Sequence, residues 1–164
     1  TRVEAMLQEE GVSYDVVRAV LASPWDDVVE IMERGRALAA LRAAATDFEA
    51  FVDTATRPAN IWRNTDLAAD VVVDVSRFAD PTEHALWAVY QDVQARVAGL
   101  KAATPVDYGA VWAALAELQA PIAALFEAVM INTEDPALRT NRLAMMRDLD
   151  RLYLTLADFR EIVQ

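Results

Sequence analysis

The chain contains no cysteine, a single histidine and only four glycines in 164 residues. Without cysteine there is no disulfide and no thiolate metal site, and the composition suits a reducing compartment. One histidine cannot build a histidine metal site, and His84 sits between acidic Glu83 and apolar Leu86 and Trp87. Neither GxGxxG nor GxxxxGK[ST] occurs, so the phosphate-cradling loops of nucleotide enzymes are absent from the sequence. Carboxylate pairs such as Glu9-Glu10 and Asp26-Asp27 are adjacent, so on a helix they point in different directions and read as solvated faces. We find no nucleophile–base pair and no metal cluster, and expect neither a catalytic nor a metal residue in this chain. No apolar run is expected to reach the roughly 20 residues of a membrane span, and no secretory leader is visible. The first residue is Thr1 rather than Met, which suggests a fragment of a longer protein.

What is present favours helix. Hydrophobic residues make up 55% of the chain, Ala, Leu and Arg dominate, and the six prolines fall mostly between apolar runs. The length is that of one domain with a real core, residues 1–164. Residues 3–10 read as a short helix ended by Gly11. Ser13 opens a second helix over Tyr14–Ala22. Ser23-Pro24 predicts a third from Trp25 to Ala44, with Val28, Val29, Met32, Leu38 and Leu41 as its apolar stripe. A fourth starts at Thr46 or Asp47, turns Phe48, Phe51 and Val52 inward, and is bent or stopped at Pro58. Residues 64–81 read as a loop with a short helical or extended piece. Asp80-Pro81-Thr82 opens the helix His84–Ala103, and Asp107 opens another carrying Val111, Trp112, Leu115 and Leu118. Pro121 marks a kink or restart before Ile122–Ile131. The last helix follows Glu134-Asp135-Pro136, with Leu138, Met145, Leu149, Leu152, Leu156, Phe159 and Val163 on one stripe. The fold class is all-α, a bundle of about seven helices.

The net charge of −11 works against a polyanion-binding role, whose affinity comes largely from basic residues that displace counterions. The charge is nevertheless uneven. Residues 1–53 hold 11 acids against five arginines, whereas Thr54–Thr65 holds Arg57 and Arg63 with no acid. Pro136–Arg147 holds Arg139, Arg142 and Arg147, again with no acid. Arg147 and Arg151 alternate with Asp148 and Asp150 and read as a self-neutralising solvated face.

Three segments, in order along the chain, resemble the β subunit of bacterial glycyl-tRNA synthetase. The stretch EEGVSYDVVRAVLA is similar to the family's entry into its C-terminal helical domain, and ATRPANIW to its Arg-Val-x-Asn-Ile segment. Within the second, Arg57, Asn60 and Ile61 fit, Pro58 replaces the usual valine, and Arg63 and Asn64 stand where lysines are common. The third, Tyr108–Phe159, contains TEDPALRTNRLAMM, which resembles the family's acidic turn followed by Leu-Arg-x-Asn-Arg-Leu. Ala123, Leu125 and Glu127 depart from the pattern of the helix before it. The resemblance implies a helical anticodon-binding domain of the DALR type, within a cytoplasmic tetramer of two α and two β subunits. It places the class II active site, with its ATP and Mg²⁺, in the α subunit, and no cofactor in this chain. The partners implied are glycine tRNA and, through the rest of the β subunit, the α subunit; no membrane is implied.

On this reading the candidate tRNA-binding residues are Arg57, Asn60, Trp62, Arg63, Arg139 and Arg142. Each has a structural alternative. Arg57 and Arg63 either grip phosphates or pair with acids, Asn60 reads a base edge or caps the chain, and Trp62 stacks on a base or lies in the core. Arg139 and Arg142 can hold phosphates bidentately, the alternative being that Arg142, with Asn141, fastens the turn to the preceding helix, which leaves Arg139 the better tRNA candidate. The alternative function is an acidic helical docking module that joins protein subunits without touching RNA, with Trp25, Trp87 and Trp112 as its surface anchors.

Overall fold

Aspartate side chains begin four of the α-helices, a use of acid that accounts for part of the negative charge. The computed structural model describes residues 1–164 and contains no β-strand. Its helices are α1 (Arg2–Glu9), α2 (Tyr14–Leu21), α3 (Val28–Ala44), α4 (Phe48–Trp62), α5 (Pro81–Ala102), α6 (Tyr108–Ala116), α7 (Gln119–Ala128) and α8 (Pro136–Tyr153). Short 3₁₀ turns lie at Val75–Arg77 and Phe159–Glu161. Asp27, Asp80, Asp107 and Asp135 accept the first free N–H groups of α3, α5, α6 and α8, a contribution of about 1 kcal/mol per cap. Gly11, at φ 86°, supplies the left-handed turn that ends α1.

The third helix begins three residues later than Ser23-Pro24 predicts. Ser23 is buried instead of capping: its hydroxyl donates to the Val20 carbonyl at 2.5 Å and accepts from Arg34 Nη1 at 2.7 Å. Arg34, 2% exposed, also forks onto Glu30 at 2.9 and 2.7 Å. With α3 starting at Val28, the stripe runs through Ile31, Met32 and Leu38, and Val28 and Val29 are exposed. Pro58 does not stop α4, which continues to Trp62 with the Pro58 ring buried. The packing of α4 across α8 is the most extensive helix contact in the molecule.

Around that crossing lies an aromatic cluster. Trp112 of α6 stacks on Phe51 at 3.5 Å and on Phe48 at 5.4 Å between ring centres, with Phe159 edge-on. Trp112 is therefore core and not a surface anchor. Trp87 is half-buried, stacked on Tyr90 at 4.8 Å, and Trp25 alone of the three is exposed. Helices α6 and α7 meet at Leu118, so Tyr108–Ala128 forms a 21-residue apolar stretch that meets the length and composition of a membrane span, contrary to expectation. Here it is a core element: Val111, Leu115, Ile122 and Leu125 are buried.

α8 is buried nearly all round rather than along one stripe, and ends at Tyr153. Arg147, expected in solvent, is buried; it forks onto neighbouring Asp148 and leaves Nη1 without a partner. The expected continuation to Val163 is replaced by a fold-back. In an unbroken helix Asp158 would lie about 12 Å beyond Asp150, but one guanidinium, that of Arg63, holds both carboxylates. The Asp158 N–H donates to the Ala19 carbonyl at 2.8 Å, which seats the returning chain on α2. Leu156 and Phe159 reach the core from outside α8, and Val163 is exposed.

Candidate nucleic-acid interface

The two acid-free windows occupy α4 with its C-cap, and the first half of α8. Their arginines divide into two kinds. Arg63 donates from Nε and Nη2 to Asp150 at 2.8 and 2.9 Å, and from Nη1 to Asp158 at 2.9 Å. Pairing, with Asp150 foremost, raises its pKa further above the usual guanidinium value. Trp62 donates its indole N–H to the same Asp150 at 2.8 Å. Asp150 is 2% exposed, so this is a buried carboxylate neutralised from α4. With its three guanidinium nitrogens engaged internally, Arg63 has no free face for a phosphate, and the Trp62 indole N–H is likewise committed.

Arg142 is also turned inward. It reaches Glu83 at 3.3 and 3.5 Å and the Met130 carbonyl at 2.9 Å. Glu83, fully buried at the first turn of α5, also accepts the N–H groups of Ala79 and Asp80 at 3.0 and 3.1 Å. One residue earlier, Asn141 accepts the Asp74 N–H at 2.7 Å and donates to the Asp74 carbonyl at 2.9 Å. These are the two bonds a neighbouring strand would supply to that residue. Arg142 and Asn141 therefore fasten the 64–81 loop and the α7–α8 connection to α8.

Arg57 and Arg139 differ. Arg57 is exposed on α4, makes no ion pair, and lies 4.1 Å from the centre of the Phe126 ring near the end of α7. Arg139, half-buried in the first turns of α8, makes no ion pair and touches only the Thr133 carbonyl, at 3.4 Å. Both border the α7–α8 connection, Arg57 through Phe126 and Arg139 through Thr133. Asn60, one turn beyond Arg57, is exposed and neither caps α4 nor bonds the backbone. Of the six candidates, the structure leaves Arg57, Asn60 and Arg139 with donors facing outward.

A groove of about 450 Å³ runs between the 71–77 loop and the start of α8. Val71, Val72, Asp74, Arg77, Pro136 and Thr140 line it. Asp74 and Arg77 escape a reading of the sequence because a short, irregular loop gives no periodic signal. No group of three or more His, Cys, Asp or Glu side chains is placed to hold a metal ion.

No protein-family model matches the chain. It is 40% identical over 148 residues to the glycine–tRNA ligase β subunit of Anaeromyxobacter dehalogenans, an alignment covering 90% of this chain and 21% of that protein. Identity is 37% over 160 residues with the β subunit of Desulforudis audaxviator, and 37% over 157 residues with that of Haemophilus influenzae. Each of those alignments covers 96% of this chain and 22% of the relative. The chain spans about a fifth of the length of the curated relatives it matches. Similar over nearly the whole of its own length to each of these proteins, the chain belongs to the glycine–tRNA ligase β-subunit family.

Proposed function

We propose that this chain is the anticodon-recognition module of a glycine–tRNA ligase, contributing to glycyl-tRNA formation without carrying the active site. The observation that carries the reading is the position of Arg57 and Arg139. In a chain of net charge −11, both are cations without a carboxylate partner, and both border one connection, between α7 and α8. Unstacked loop bases of tRNA offer edges and faces to helical surfaces, and free guanidinium groups beside them supply the phosphate contacts. Asn60, exposed one turn from Arg57, adds an amide that can read a base edge. Trp62, Arg63 and Arg142 then act from beneath, holding α4, α8 and the loop in place. In this reading the catalytic subunit binds ATP, glycine and Mg²⁺, the assembly works in the cytoplasm, and this module orients the tRNA towards that subunit.

The alternative, an acidic docking module, draws on the exposed Trp25, Val28 and Val29 beside Asp26 and Asp27. The two readings part in a single experiment. Binding of the chain to glycine tRNA is followed by fluorescence anisotropy across a salt series, with the Arg57→Glu/Arg139→Glu variant alongside. The expected result is salt-sensitive binding, weakened at least tenfold in the variant, with a salt slope lower by about two, one for each phosphate the variant no longer holds. Unchanged affinity in a folded variant would remove these arginines from the interface. No binding by the parent chain at low salt would favour docking.

A further inference from the structure

Lys101 is the one lysine among 15 basic residues; the others are arginine. It stands near the end of α5, where α3 and the chain leaving α8 meet. Its ammonium donates to the Thr155 carbonyl and lies 3.9 Å from Glu30. Glu30 is already held by the fork from Arg34, at 2.9 and 2.7 Å, and by the Tyr108 hydroxyl at 2.7 Å. Lys101 is therefore not the partner on which Glu30 depends. Burial foremost, and then the charge of Arg34, pull the pKa of Lys101 below the ordinary lysine value against the opposing charge of Glu30. The neutral, nucleophilic form of the amine is correspondingly more populated.

Lys101 lines a cavity of about 440 Å³ between α5 and the last turns of α8, with Val97 and Leu152 on its apolar side. Arg151 lines the same cavity, exposed and without an ion pair, one turn before the Thr155 that holds the amine. The Tyr90 hydroxyl also has no partner in the protein, and burial above all pushes it up to about 12, so it remains a donor. The single carboxylate of the lining, Asp148, is taken by the fork from Arg147 at 3.1 and 3.0 Å. The cavity thus sets one nucleophilic nitrogen beside one unclaimed guanidinium.

We infer that Lys101 is a modification site for small acyl phosphates, with Arg151 holding the phosphate while Lys101 Nζ takes the acyl group. The neutral amine attacks the acyl carbon and a C–N bond forms. The bond from that carbon to the phosphate oxygen breaks, and phosphate leaves with the electron pair. The proton shed by the amine passes to the phosphate or to water, and nothing is oxidised or reduced. Arginine side chains do not compete, because the guanidinium stays protonated. The fold can accept the product. The new amide N–H still has the Thr155 carbonyl as its acceptor, an acetyl group fits the cavity, and Glu30 keeps Arg34 and Tyr108. What changes is charge: acylation removes one of the two cations that line the seam between α5 and α8. Neither Arg57 nor Arg139 takes part, so the site stands or falls apart from the RNA-binding reading.

The test incubates the chain with acetyl phosphate and follows acetylation of its two amines, Lys101 and the Thr1 α-amine, by mass spectrometry of a digest. Thr1, exposed and paired only with Glu4, is the internal reference. Relative to Thr1, Lys101 should react about tenfold faster in the folded chain than in urea, the effect of roughly one unit of pKa. Arg151→Gln changes an exposed side chain without a partner and does not threaten the fold. It should slow acetyl phosphate at Lys101 by about tenfold, the weight of one charge-assisted contact, and leave Thr1 unaffected. N-hydroxysuccinimidyl acetate, which brings no phosphate, should modify Lys101 equally in the parent and the variant. Lys101 reacting no faster in the folded chain than in urea would overturn the assignment. So would equal acetyl phosphate rates in parent and variant, or equal slowing with both reagents, which would mean altered access and not a lost phosphate contact.

Discussion

Arg57 and Arg63 sit six residues apart at the end of one helix, in the same acid-free stretch, and meet opposite fates. Arg63 reaches Asp150 and Asp158, 87 and 95 residues away, and locks α4 to α8. Arg57 finds only an aromatic face and keeps its guanidinium in solvent. The same division recurs on α8, where Arg142 is buried against Glu83 and Arg139, three residues earlier, is without an acid. An acid-free window therefore identifies cations without a local partner and says nothing about distant ones. The members of each pair that no distant acid claims are the ones left available to a ligand.

Breaking the inward arginine should give the largest effect. Arg63→Met leaves Asp150 and Asp158 unneutralised beneath α4, which should cost about 3 kcal/mol or more, lowering Tm by about 10 °C in thermal melts. Adding Asp150→Asn should return part of that loss, because the buried charge goes with its partner. A melt of Arg63→Met that overlays the parent would show that the ion pair is not what holds α4 on α8.

A second effect concerns acid. Partial burial pushes the Asp15 carboxyl up, but hydrogen bonds from the Val163 N–H, Ser13 and Arg42 outweigh it and hold the group at about 2 against an ordinary 3.8. A carboxyl depressed on folding stabilises the fold fully above its unfolded value and loses that contribution as pH falls through its folded one. Stability should therefore decline between about pH 4 and pH 2. In Asp15→Asn the decline in that window should be shallower, as measured by urea titration at each pH. Equal slopes in the two proteins would assign the acid sensitivity to other carboxylates.

Smaller again is the loss of one cap. Asp135→Ala frees the N–H groups of Ala137 and Leu138 and should cost about 1 kcal/mol, visible as a shift in urea midpoint with unchanged slope. At the bottom of the scale, Arg57→Glu/Arg139→Glu should change stability by no more than about 0.5 kcal/mol while it weakens tRNA binding. A large stability loss there would erase the distinction between inward and outward arginines.

The helices were legible where a cap and a periodic stripe agreed. Asp80-Pro81 and Asp135-Pro136 mark real starts, and Gly11 a real stop. Local signals failed where long-range polar partners outbid them. Ser23-Pro24 has the form of a helix start, but Arg34 claims the Ser23 hydroxyl from α3. The stripe through Leu156 and Phe159 has helical spacing, but Arg63 gathers Asp158 back towards Asp150 and the chain turns. Of the candidate site, residue type and charge pattern pointed to the two segments that carry the outward arginines. Which arginine faces outward depends on acids 59 to 95 residues distant, and pairings of that range leave no mark on local sequence.

The bonds from Asn141 to Asp74 have a consequence for variation. They grip only the peptide groups of the loop, so the anchorage is indifferent to which side chains the loop displays. Val72 and Arg77 can be exchanged without unseating the backbone that presents them. A single amide on a buried helix thus holds the loop whatever side chains it displays, and its outer surface is free to change while the scaffold under it stays the same.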